Sequence, residues 1–171
     1  MEVWTIFFKS FSRQSGSHKD NNIIISPLSG ELIPLTSVND EVFSQGILGE
    51  GAAVIPDAGQ LYAPADAVVL DVFDTKHAIT LICDNGAELL IHIGLDTVNH
   101  EGRPFSPKAT KGDRVKAGDL IMEFDINEII TSGYDPVTPI IISNYDKFTL
   151  DIHAPGKINA GEQIIKLSGN S

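Results

Sequence analysis

From Asn22 onward, short apolar runs rich in Ile, Val and Leu are broken at close intervals by Pro and Gly, and helical periodicity is scarce. That texture predicts an all-β fold, an antiparallel sandwich or barrel whose corners are turned by prolines. Two segments resemble each other, Ile25-Ser26-Pro27-Leu28-Ser29-Gly30-Glu31-Leu32 and Tyr62-Ala63-Pro64-Ala65-Asp66-Ala67-Val68-Val69. Each reads as strand, proline turn and new strand, and Ile152-His153-Ala154-Pro155-Gly156-Lys157-Ile158 echoes them less closely. Asp125 to Thr131 reads as a short helix, and Gly112 to Asp119 as a turn, strand and turn. No linker divides residues 22–168, so 22–171 is expected to form one domain.

The first 21 residues differ. Trp4, Phe7, Phe8 and Phe11 recur at i, i+3, i+4 and i+7, ahead of the polar stretch Ser15 to Asp20. The pattern predicts a short amphipathic segment on a flexible tether, lying either on a membrane surface or against the domain.

Composition narrows the function classes. Twelve Lys and Arg against 23 Asp and Glu give a formal charge of −11. Such a chain repels a phosphate backbone, so nucleic acid is not an expected ligand, and basic protein partners are favoured. With Cys83 as the only cysteine, neither an internal disulfide nor a multi-cysteine zinc knuckle can form. No apolar run approaches the ~18–20 residues of a membrane span, and the N-terminus has the wrong polarity for a signal peptide. A cytoplasmic protein is expected.

The most informative stretch runs from Phe73 to Cys83, through Asp84-Asn85-Gly86-Ala87, and on from Glu88 to Asp96. Asn-Gly between two apolar runs predicts a two-residue hairpin with a type I′ turn. In that register Asp84 faces Ala87, His92 lies opposite Ile79 and His77 lies opposite Gly94. His77, Ile79, His92 and Gly94 then share one face, with the two histidines as diagonal neighbours roughly 7–8 Å apart at Cα. Gly94 would leave room for a ligand opposite His77, and the Thr75 hydroxyl would hold an imidazole tautomer. A three-residue loop would slip the strands by one and send the histidines to opposite faces.

Two convergent imidazoles admit three readings. One ring can accept a phosphoryl group covalently while the other holds its oxygens. The pair can supply part of a metal site, although zinc usually takes three or four protein ligands. Both can also be satisfied core histidines. Spacing alone leaves all three open.

The sequence resembles the glucose-type enzyme IIA family of the bacterial phosphoenolpyruvate-dependent sugar phosphotransferase system. The likeness is carried by Pro27 to Glu31, Val42-Phe43, Gly49-Glu50-Gly51, Ala63-Pro64, Thr75 to Ala78 and Glu88 to Val98, continuing through Lys111 to Asp119, Glu123-Phe124-Asp125 and Ile142-Ser143-Asn144. It covers nearly everything after Asn22. The resemblance implies a β-sandwich of Greek-key and jelly-roll character built from a duplicated hybrid motif. It implies that His92 accepts a phosphoryl group from the phosphocarrier HPr and passes it to a cysteine of a sugar-permease IIB domain. His77 would stabilise the phosphoryl oxygens and Thr75 would orient His77. No cofactor is required, and the resemblance allows, without requiring, a zinc ion at the unphosphorylated His77 and His92 shared with a bound partner's carboxylate. Regulated transporters or kinases are further partners the resemblance allows.

The family pattern also maps an apolar collar onto Phe43, Ile47, Leu48, Phe73 and Val98, with Gly94, Asp40 and Asp96 beside it. Docking there would exclude water, and the two acids would meet basic residues of HPr. Core packing for the apolar members and turn capping for the acids are the competing explanations. His18, His100 and His153 match no family motif and read as surface or structural. Ala67, Gly46 and the stretch from Tyr145 to His153 depart from the pattern without touching the histidine pair.

Rival classes lack residues. A zinc peptidase of related architecture would use His92 and Asp96 as His-x3-Asp, but the required His-x-His is absent. A biotinyl or lipoyl carrier needs a lysine at the hairpin tip, where Asn85-Gly86 stands. An unphosphorylated binding module of the same fold would not need the intact histidine pair.

Overall fold

A computed structural model describes residues 20–170. The amphipathic segment expected over residues 1–21 lies essentially outside the described residues. No helix among them is long and apolar enough to cross a membrane.

The strands, in chain order, are β1 (Ile23–Ile25), β2 (Gly30–Pro34), β3 (Glu50–Pro56), β4 (Gln60–Tyr62), β5 (Ala67–Val72), β6 (Ala78–Cys83) and β7 (Glu88–His92). They continue as β8 (Phe105–Pro107), β9 (Arg114–Val115), β10 (Leu120–Phe124), β11 (Thr138–Ile142), β12 (Phe148–Ile152), β13 (Gly156–Ile158) and β14 (Gln163–Gly169). Two short helices interrupt them, α1 (Glu41–Ser44) and α2 (Ile126–Thr131). An eight-stranded antiparallel sheet in the order β13-β2-β3-β11-β7-β6-β5-β9 is covered by two three-stranded sheets, β1-β14-β12 and β4-β10-β8. Ile79, Leu81, Leu89, Ile91 and Ile140 alternate inward from the large sheet onto Ile121, Met122, Ile164 and Ile165 of the covering sheets. The expected all-β sandwich is therefore the observed one.

The large sheet reads the same from both ends, because one motif made of β4 to β10 is inserted into a second made of β1 to β3 and β11 to β14. Ile25 N–H donates to the Pro64 carbonyl at 3.0 Å, and Tyr62 N–H returns the bond to Pro27 at 2.9 Å. Ser26 N–H reaches Glu162 O at 2.7 Å just as Ala63 N–H reaches Asp119 O at 2.8 Å. The similar segments around Pro27 and Pro64 are thus true equivalents. The weaker echo at 152–158 is not a third copy: its strand, β13, pairs with β2, as β9 pairs with β5.

The helix expected over Asp125 to Thr131 forms, with Asp125 as N-cap accepting from Glu128 N–H at 3.0 Å. The Gly112 to Asp119 unit contains β9 between two turns, as expected. The β6-β7 hairpin departs from expectation. Its loop holds three residues, Asp84 to Gly86: Gly86 N–H closes on Cys83 O at 2.9 Å and Cys83 N–H on Ala87 O at 2.9 Å. Gly86 alone of the loop takes positive φ, 88°. That is a type I turn followed by a left-handed residue, a three-residue solution that Asn-Gly also satisfies. The strands slip by one, so His92 pairs with Ala78 and Ile79 with Ile91.

Candidate functional site

The slipped register should part the histidines, yet their ring centroids lie 4.7 Å apart with planes at 77°. His77 escapes the alternation because β6 begins only at Ala78. The chain reaches it through a turn in which Lys76 N–H bonds Phe73 O at 2.7 Å and Phe73 N–H bonds Ala78 O at 3.0 Å. Lys76 sits in the left-handed region at φ 59°, an uncommon state for a side chain of this size, and it re-aims the residue that follows. Convergence survives through the turn, not through the ladder that the sequence suggested.

Each ring is fixed through Nδ1. Thr75 Oγ1 lies 2.6 Å from His77 Nδ1. His92 Nδ1 lies 2.7 Å from the Gly94 carbonyl oxygen. A carbonyl only accepts, so the neutral His92 ring carries its proton on Nδ1 and leaves the Nε2 lone pair free. The Thr75 hydroxyl can both donate and accept; when it donates to His77 Nδ1, that ring carries its proton on Nε2 as a donor. His77 is only 3% exposed, but His100 Nδ1 is the one buried side-chain nitrogen or oxygen without a partner among the described residues. Among the described residues the Nε2 atoms of His77 and His92 bond nothing, and neither is wholly closed off from solvent.

Both rings stay neutral at pH 7. Burial, then the neighbouring His92, push His77 down to about 4. Burial also lowers His92, against the opposing pull of the Gly94 carbonyl and the Asp40 and Asp96 carboxylates. Cys83 is no rival nucleophile: burial, then Asp84, push its thiol up to about 12.

Asp40 and Asp96 thus both act on His92, while Asp40 also caps α1 by accepting from Val42 N–H at 2.9 Å. Sequence reasoning missed α1; the Asp-Glu start was its signal, but four residues are too few to show periodicity. Ile47, Leu48, Phe73 and Val98 are all exposed, Ile47 to 65%, and the Phe73 ring lies 5.6 Å from that of His77. Val42, which the sequence matched to the family pattern but not to the collar, is exposed as well. Phe43 is a correction: only 4% exposed, it packs against Ala53, Leu95 and Ile141, and its ring lies 5.0 Å from that of His92. It is the floor of the site, not its rim.

Gly94 is a second correction. It does not open space for a ligand, because a Cβ there would stand 2.5 Å from Thr97 Cγ2 and 2.9 Å from the Asp135 carbonyl oxygen. His100 is buried and bonds Ser132 Oγ at 2.8 Å, and His153 is exposed, so both are structural or surface residues as expected. His18 lies outside the described residues.

Residues 22–148 match the family described as phosphoenolpyruvate-dependent sugar phosphotransferase system, EIIA 1. The chain is 51% identical over 123 residues to the PTS system glucose-specific EIIA component of Oceanobacillus iheyensis, covering 72% of this chain and 74% of that protein. It is 42% identical over 159 residues to the PTS system beta-glucoside-specific EIIBCA component of Bacillus subtilis, covering 92% of this chain but only 26% of that relative. The chain thus spans about a quarter of the length of that larger protein. The solved glucose permease IIA from Mycoplasma capricolum superposes with a TM-score of 0.80 at 34% identity, covering 84% of this chain and 93% of that one. With the fold, the paired imidazoles and these likenesses in agreement, the chain belongs to the EIIA 1 family of the sugar phosphotransferase system.

Proposed function

We propose that this chain is a phosphohistidine carrier: His92 Nε2 takes a phosphoryl group from phospho-HPr and gives it to a cysteine of a sugar-permease IIB domain. The observation that carries the reading is the Nδ1 bond of His92 to the Gly94 carbonyl, which leaves Nε2 unprotonated. In the first step the Nε2 lone pair forms a P–N bond as the P–N bond to the donor histidine breaks and its electron pair returns to that imidazole. In the second, a cysteine thiolate forms a P–S bond and the pair returns to His92 Nε2. No net proton or electron is gained in either transfer. His77 Nε2–H donates to a phosphoryl oxygen, and Thr75 holds His77 in that tautomer. The exposed apolar ring of Ile47, Leu48, Phe73 and Val98 excludes water on docking, and Asp40 and Asp96 attract a basic partner. Such a carrier works in the cytoplasm.

The relatives' names carry different sugars, glucose and beta-glucoside, in keeping with sugar choice residing in the permease. Among the described residues no third His, Cys, Asp or Glu completes a metal cluster with the two imidazoles. Zinc would therefore take His77 and His92 here and draw its remaining ligands from a docked partner's carboxylate and from water.

The test is incubation with labelled phosphoenolpyruvate, enzyme I and HPr. An acid-labile, alkali-stable label that needs HPr, and that moves on to a IIB domain, is the expected result. No label, or one independent of HPr, overturns the assignment.

A further inference from the structure

We infer that Thr97 and Asp135 are positioning residues that clamp the two peptide planes around Gly94 and thereby set the proton of His92. The inference rests on the carrier reading above and names the parts of the same site that act through another group.

A trans peptide is planar, so the Gly94 carbonyl and the Leu95 N–H point in opposite directions from one rigid unit. The carbonyl end receives His92 Nδ1–H at 2.7 Å. The N–H end donates to the Asp135 carbonyl oxygen at 2.8 Å. The preceding plane is held as well, because the fully buried Thr97 donates its Oγ1 hydrogen to the Ile93 carbonyl. Gly94, at φ 77°, is otherwise the freest kind of residue in a chain. Thr97 restrains it from the φ side and Asp135 from the ψ side.

Both clamps are anchored away from the phosphoryl site. Thr97 opens the 3-10 turn Thr97–His100, whose last residue bonds Ser132 Oγ at 2.8 Å and packs its ring 5.6 Å from that of Tyr134. Asp135 is held by its own side chain, which accepts from Val137 N–H at 2.9 Å as the chain enters β11. Neither residue bonds either histidine directly. Releasing either clamp lets the Gly94–Leu95 plane turn, so that the carbonyl leaves Nδ1 and the ring proton redistributes to Nε2, which blocks the nucleophile.

The experiment compares Thr97→Val with Thr97→Ser and Asp135→Ala with Asp135→Asn, the second of each pair keeping the bonding atom. Nitrogen-15 NMR of the His92 ring reads the tautomer without any phosphate. Stopped-flow with phospho-HPr reads the saturating rate and the half-saturating concentration separately. Thr97→Val and Asp135→Ala should mix the His92 tautomers and lower the saturating rate by about tenfold, in the range seen for residues that orient a functional imidazole. Half-saturation should not move, and the Ser and Asn variants should stay within about twofold of the unmodified protein in rate, with its tautomer. Should Thr97→Val fail to fold, the Asp135 pair, at an exposed position, decides alone. A tautomer unchanged in Asp135→Ala, or equal losses in the Ala and Asn variants, overturns the inference. Failure of the unmodified protein to take a label would instead strike the carrier reading and leave the tautomer result standing.

Discussion

Thr75 Oγ1 stands 2.6 Å from His77 Nδ1, two residues away along the turn that precedes β6. This contact decides which nitrogen of His77 faces the site. Thr75→Val keeps the shape and removes the hydroxyl, so His77 loses its preferred tautomer. Phosphoryl transfer onward should fall by roughly tenfold while the His92 label still forms. Thr75→Ser should retain most of the rate. Quench-flow with a IIB domain measures both.

Acid should act on the site in a defined order. An unfolded histidine binds a proton near 6.5, whereas burial holds His77 down to about 4. Between those values the unfolded state carries more protons, so stability should fall as the pH drops from 6.5 toward 4 and lose nothing further to this group below it. His77→Gln should flatten that part of the profile in thermal melts across the same window. Because burial also lowers His92 below its ordinary value, phosphoryl acceptance should persist below pH 6.5 before the nucleophile is protonated.

Much of the fold was legible because alternating Ile, Val and Leu between Pro and Gly corners leaves few alternatives; the likeness of the Pro27 and Pro64 segments was visible, while the duplication came only from the family resemblance. The hairpin register was not legible, since Asn85-Gly86 fits both a two-residue and a three-residue turn and neighbouring residues do not choose between them. The histidine pair was found by a register that the structure does not adopt. What brings the rings together is the left-handed Lys76, a feature that composition does not signal. Phe43 looked like a rim residue for a related reason: without α1, nothing in the sequence showed that its ring turns inward.

Rim and floor should separate cleanly on mutation. Ile47→Asp, at an exposed position, should raise the half-saturating concentration of phospho-HPr by several fold with a change in stability of about 0.5 kcal/mol or less. Phe43→Ala, by contrast, should cost roughly 3–5 kcal/mol through the cavity left beneath His92. Denaturant melts and association kinetics on the same two variants distinguish the roles.

Charge at the rim should appear as salt dependence. Asp40→Asn keeps an N-cap oxygen for Val42 N–H and removes one negative charge beside His92. Association with a basic donor should slow at low salt and converge with the unmodified rate near ~1 M salt, where the screening length is about 3 Å. Asp40→Ala should add a loss of about 1 kcal/mol in stability from the missing cap.

The central claim is tested most directly by locating the phosphoryl group after reaction with phospho-HPr, using phosphorus-nitrogen coupling in ring-labelled protein alongside His92→Ala and His77→Ala. The account predicts a P–N bond at His92 Nε2, no label in His92→Ala, and label in His77→Ala with impaired delivery to a IIB domain. A label of equal strength in His92→Ala, or a bond to His77 or to Nδ1, would contradict it.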